Sequence, residues 1–240
     1  MLILAIDTST RMGSAAILRD AQILAEVSGY EETPYSARIF RDVALLQDRA
    51  GCRMDQIDVF AVAAGPGSFT GLRVGLTAVK AWAEVYRKPV AAISGLEAIA
   101  SEAISKNASG DSCPRFIAPF LDARRGQLFG AVYRRMAGDT TELELASDES
   151  IVSLDEFLEL VQGKSPEPVQ LASPTPDLLP PSRIIGVLSE AHVCHVSAAL
   201  APAIGRLGFR RAGRGELVDA IRLDANYVRR SDAESKWKDE

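Results

Sequence analysis

The stretch Ala63-Ala64-Gly65-Pro66-Gly67-Ser68-Phe69-Thr70-Gly71-Leu72-Arg73-Val74-Gly75 decides how the rest of the chain is read. Ahead of it, Val59 to Ala64 is an unbroken apolar run that predicts a buried strand. Gly-Pro-Gly then predicts a type II turn, with Pro66 presetting φ at the first corner and Gly67 taking a positive φ at the second. Ser68 or Thr70 is placed to cap a helix whose first N–H groups would face the end of the strand. That arrangement suits a bound anion or another chain's backbone. The same residues also make a tight strand-to-helix connection and nothing more.

Upstream, Leu2 to Ile6 reads as a strand ending in Asp7-Thr8-Ser9-Thr10. Ser14 to Leu18 and Gln22 to Val27 follow after short turns, which predicts an antiparallel meander. Pro34 opens a helix in which Ile39, Val43, Leu46 and Ala50 form one apolar stripe, and Gly51 stops it. Downstream, a second helix runs to about Arg87, Pro89 ends it, and Val90 to Ile93 is a further strand. Strands separated by helices pair in parallel through right-handed crossovers. The expected architecture is α/β, a mixed sheet flanked by helices.

Past a linker at Asn107 to Pro114 the pattern restarts in reduced form. Phe116 to Leu121 and Gln127 to Tyr133 read as strands, and Ser153-Leu154-Asp155-Glu156 is a capping box opening a helix. Residues 166 to 181 hold six prolines and admit at most a short strand at Val169 to Ala172. Arg183 to Leu188 is strand-like, and a helix from Ala198 is closed by Gly208. The expected division is a complete lobe at 1–106, a degenerate copy at 107–230 and a polar tail at 231–240.

The 240 residues are 47% hydrophobic and 25% charged, which suits a globular fold with a sizeable core. A net charge of −5 gives no global attraction to nucleic acid. Arg206, Arg210, Arg211, Arg214, Arg222, Arg229 and Arg230 crowd the last third, but Glu216, Asp219 and Asp224 are mixed among them, as on a solvated surface. No apolar run is long enough for a membrane helix, and the start lacks the basic region of a signal peptide. Cys52, Cys113 and Cys194 are odd in number and widely spaced, so no disulfide framework is implied and a cytoplasmic location is expected.

Two clusters are candidates for function. Asp7, Thr8 and Ser9, together with Gly65, Gly67 and Ser68, would suit a nucleotide's phosphates; the alternative is that Asp7 and Thr8 only satisfy a turn. Gly71, Gly75, Ala78 and Trp82 recur on one helix face and make a shallow groove for a second helix. That neighbour is either the internal helix carrying Ile39, Val43 and Leu46 or a helix of another chain. His192 and His195 are the only histidines, too few for a metal centre or a Ser-His-Asp nucleophile. Neither a metal nor another cofactor is expected.

Four segments carry a resemblance: Asp7-Thr8-Ser9-Thr10, Ala64 to Gly75, Leu121-Asp122-Ala123-Arg124-Arg125-Gly126-Gln127, and Asn226-Tyr227-Val228-Arg229-Arg230. In this order and spacing they resemble the bacterial TsaB (YeaZ) family, relatives of TsaD and Kae1, over nearly the whole chain. The resemblance implies an actin/Hsp70/sugar-kinase-like fold of two related lobes and a role in making N6-threonylcarbamoyladenosine in tRNA. It implies a non-catalytic partner of a TsaD-like transferase, assembled with a TsaE-type ATPase, that meets tRNA only through the complex. TsaD-like proteins carry a His-x-x-x-His metal motif, and this chain has no such spacing. The resemblance also implies a homodimer when the chain is alone and a partner surface on the first two helices, here Ile39, Val43, Leu46, Gly71, Arg73, Gly75, Ala78 and Trp82. An active nucleotide-dependent phosphotransferase or ATPase of the same superfamily is the alternative.

Overall fold

The computed structural model describes residues 1–29, 34–107, 114–136, 142–166, 168–188 and 191–228. Most of the expected linker, Arg229, Arg230 and the polar tail lie outside the described residues. The chain divides into two compact units, one of Met1–Gly95 plus everything from Ala198 onward, the other of Leu96–Ser197. This division differs from the expected one at 1–106 and 107–230 in grouping the last helix with the first unit.

The first unit contains β1 (Leu2–Asp7), β2 (Ser14–Arg19), β3 (Gln22–Ser28), α1 (Tyr35–Ala50), β4 (Val59–Gly65), α2 (Phe69–Tyr86) and β5 (Val90–Ser94). Its sheet runs β3-β2-β1-β4-β5, with the first three strands antiparallel and β1, β4 and β5 parallel. Alternation along β1 sends Leu2, Leu4 and Ile6 into a core with α1 and α2, where Leu46, Phe60, Leu72 and Val79 are fully buried. Gly51 ends α1 in the left-handed region at φ 62°, as the sequence predicts.

α3 (Gly95–Asn107) leads into the second unit, which holds β6 (Phe116–Arg124), β7 (Gln127–Gly130), β8 (Tyr133–Arg135), β9 (Leu143–Leu145), β10 (Ser150–Ser153), α4 (Leu154–Lys164), β11 (Val169–Ser173), α5 (Pro181–Ile185) and β12 (His192–His195). Its main path is β10-β7-β6-β11-β12, antiparallel on one side of β6 and parallel on the other. That repeats the first sheet strand for strand, with β8 and β9 as an added hairpin. Ser153 caps α4 and Glu156 returns the bond, the predicted capping box. One expectation fails here. Pro181 to Ile185, within and beyond the proline-rich stretch, is a helical turn with proline at its start rather than a strand.

α6 (Ala201–Gly213) packs on β1, β2, β4 and β5, on the face opposite α1 and α2. Ala16, Ala5, Ala61 and Ala91 are register partners across four adjacent strands, forming a row of minimal side chains. A Cβ on Gly208 would lie 2.8 Å from the Ala61 Cβ and 3.5 Å from that of Ala91. Gly208 therefore sits inside the helix where it comes close to the sheet, and the expected stop at Gly208 is wrong.

Candidate functional site

All six residues expected at the nucleotide-like cluster come together in the first unit, but packed against one another. Asp7 ends β1 and its Oδ1 accepts hydrogen bonds from the Ser9 amide at 2.8 Å and the Ser9 hydroxyl at 2.6 Å. The Ser68 amide donates to the Ser9 carbonyl at 2.8 Å, and the Thr8 hydroxyl donates to the Gly71 carbonyl at 2.7 Å. The first residues of the loop after β1 are thus fastened to the loop after β4 and to the first turn of α2. Asp7, Thr8 and Ser9 are buried as a result.

The glycine segment achieves this differently from the predicted turn. Gly65-Pro66 is a cis peptide, Gly65 carries the positive φ of 121°, and Gly67 has no left-handed φ. What Gly67 provides is space: a Cβ there would lie 2.7 Å from the Ser9 Cβ and 2.8 Å from its carbonyl oxygen. Ser68 does cap α2, its Oγ accepting from the Gly71 amide at 3.3 Å. Nothing in the local sequence separates cis from trans before Pro66.

The glycine stripe of α2 also faces inward. A Cβ on Gly71 would overlap the Thr8 carbonyl oxygen, and one on Gly75 would overlap the Thr8 hydroxyl. The neighbour that the small residues admit is the β1–β2 loop, not another helix. Ile39, Val43, Leu46, Ala78 and Trp82 are likewise buried in the unit's own core, so of the expected partner surface only Arg73 is exposed and Gly71 half-buried. This corrects the reading of that stripe as a bared groove. The outer faces of the two helices carry other residues: Phe40 (64% exposed) on α1, edge-on to Trp82 at 5.8 Å, and Val85 (72%) on α2.

The C-terminal segment, absent from every sequence-based site, closes over the same place. The Asn226 amide donates to the Ala64 carbonyl at 2.7 Å, and Gly65 lies against the Asn226 carbonyl. The Tyr227 ring meets that of Phe69 at 5.1 Å, while the Arg73 guanidinium covers Phe69 at 3.9 Å. Val218 pairs with Val90, and Leu223 enters the core. Only the shared presence of Phe69 and Tyr227 in the four quoted segments hinted at this, since the two lie far apart along the chain.

Asp7 is the electrostatic oddity. Burial pushes its pKa above the ordinary 3.8, against the lowering effect of the Ser9 hydrogen bonds, and its Oδ2 has no hydrogen-bond partner in the protein. The folded state therefore holds a proton that the unfolded chain releases as pH rises past about 4, so this group removes stability on going from pH 4 towards neutrality. Asp7→Asn keeps the oxygen that Ser9 uses and abolishes the titration. The melting temperature of the variant minus that of the wild type is expected to grow between pH 4 and pH 8. A difference that stays constant over that range would show Asp7 to be ordinary. Elsewhere, His195 Nε2 lies 3.1 Å from the Pro174 carbonyl. Among the described residues no group of three or more His, Cys, Asp or Glu is placed to hold a metal ion. No helix among them is long and apolar enough to cross a membrane.

Residues 33–200 match the family model described as TsaD: tRNA N6-adenosine threonylcarbamoyltransferase. A Bacillus subtilis protein named tRNA threonylcarbamoyladenosine biosynthesis protein TsaB is 32% identical over 99% of this chain and 98% of its own length. The chain belongs to the TsaB family. Among solved structures, YeaZ from Pseudomonas aeruginosa superposes with a TM-score of 0.73 at 25% identity, covering 94% of this chain and 99% of that one. A ROK hexokinase from Thermus thermophilus shares the fold at a TM-score of 0.53 and 10% identity, covering 88% of this chain and 100% of its own. The sugar-kinase-like architecture expected from the sequence is therefore the one this TsaB-family chain has.

Proposed function

We propose that this TsaB-family chain acts in tRNA threonylcarbamoyladenosine synthesis as a non-catalytic subunit, holding a TsaD-type transferase and a TsaE-type ATPase in the cytoplasm. The observation that carries the reading is the fastening of the β1–β2 loop. Thr8 and Ser9 are bonded to Gly71, Asp7 and Ser68, and Asp7 Oδ1 to Ser9, where a phosphotransferase would keep such groups open to phosphate. The phosphotransferase or ATPase alternative needs those groups free, and a melting-temperature rise with ATP and magnesium on the isolated chain would favour it.

The partner surface in this reading is the outer face of α1 and α2, with Phe40, Leu45 and Val85 as its exposed apolar side chains. The same face would serve a homodimer when the chain is alone, so the two partners compete. Purified chain mixed with a TsaD-type subunit is expected to form a complex and to support threonylcarbamoyl transfer to tRNA, with no transfer by the chain alone. Phe40→Glu places a charge on this face and is expected to weaken the complex at least about tenfold with the fold retained. Transfer by the chain without TsaD, or unchanged binding by Phe40→Glu, would sink the respective half of the proposal.

A further inference from the structure

Beneath the first two turns of α1 lies a small, partly open pocket of about 10 Å³. Tyr35, Arg38 and Asp42 reach it from α1, Thr8 from the end of β1, and Gly13 and Ser14 from the start of β2. Two polar atoms here are buried without a hydrogen-bond partner in the protein, the Tyr35 hydroxyl and the Arg38 Nε. The rest of Arg38 is fully engaged. Its Nη2 donates to the Met12 and Gly29 carbonyls, each at 3.2 Å, its Nη1 meets Asp42 at 3.3 Å, and its guanidinium lies 4.2 Å over the Tyr35 ring.

A buried hydroxyl or guanidinium N–H left unbonded costs roughly 1–3 kcal/mol, and native proteins seldom leave two in one place. The cavity has the volume of one water, for which roughly 10–15 Å³ and two to four polar partners suffice. The geometry points to a resident water site: one water molecule that accepts from Arg38 Nε and is shared with the Tyr35 hydroxyl. It would join α1 to the β1–β2 and β3–α1 connections that Arg38 already gathers. Gly13 is what lets Tyr35 reach it, since any Cβ at that position would overlap the tyrosine hydroxyl. This site does not depend on what the protein binds.

The sign of one substitution tests it. With water present, Tyr35→Phe strips that water of a partner and is expected to lower the melting temperature by about 2–4 °C. In a dry cavity the same change deletes an unsatisfied buried hydroxyl, and the melting temperature would rise or hold. A crystal structure of the full chain near 1.8 Å should show a density peak about 2.7–3.2 Å from both atoms in the wild type. A rise in melting temperature, an empty map, or a peak that a bromide soak replaces, which would mark an anion instead, each overturns the proposal.

Discussion

Gly71→Ala is expected to lower the melting temperature by about 6–12 °C, the effect of losing about 3 kcal/mol in a chain of this size. The direction is informative because the same change in an ordinary helix interior stabilises by about 1 kcal/mol. Here the new methyl would overlap the Thr8 carbonyl oxygen, a backbone atom with no rotamer in which to escape. Either the β1–β2 loop or the start of α2 must retreat. Retreat breaks the Thr8 hydroxyl bond to Gly71 and strains the Ser68 amide bond to Ser9, and it exposes Asp7 to water. Thermal melting with circular dichroism checks it. A variant as stable as the wild type would mean that the two loops are not held together as described.

The second large effect is expected at the opposite face of the sheet. Gly208→Val should destabilise the first unit by about 2–4 kcal/mol, because its Cβ alone comes within 2.8 Å of the Ala61 Cβ and the γ-methyls have the alanine row beneath them. The residues in the way are already alanines, so the sheet has only one smaller choice. Combining Gly208→Val with Ala61→Gly should return part of the loss, a coupling of at least about 0.5 kcal/mol between the two sites. Chemical denaturation of the two single variants and the double variant measures it. Strict additivity would place the close approach of α6 somewhere other than Ala61.

The contrast between these two glycines shows what the sequence made legible. The meander, the parallel strands, the stop at Gly51 and the box at Ser153 rest on neighbours within a few residues, and these expectations agree with the structure. Residues 7–9 and 65–68 were also legible as one cluster, since each follows a strand of the same sheet. Their state was not legible. Whether Gly71 and Gly75 face a helix or Thr8 depends on atoms brought together across more than 60 residues of chain. Gly208 looked like a stop because a glycine near the end of an apolar stripe usually is one. Only the row of alanines across four strands explains it, and no single window contains that row.

The return of the chain to its first sheet also sets an order on the ribosome. When Ser94 has emerged, β1 to β5 can pair and α1 and α2 can cover one face, yet the alanine face stays bare. Its cover, α6, lies more than a hundred residues later, beyond the whole of the second unit. At about 5–20 residues per second the nascent sheet waits on the order of 5–20 s with that face open. During the wait the exposed strip carries Ile3, Leu18 and Ile93 beside the alanine row, an apolar surface open to a wrong partner until α6 arrives.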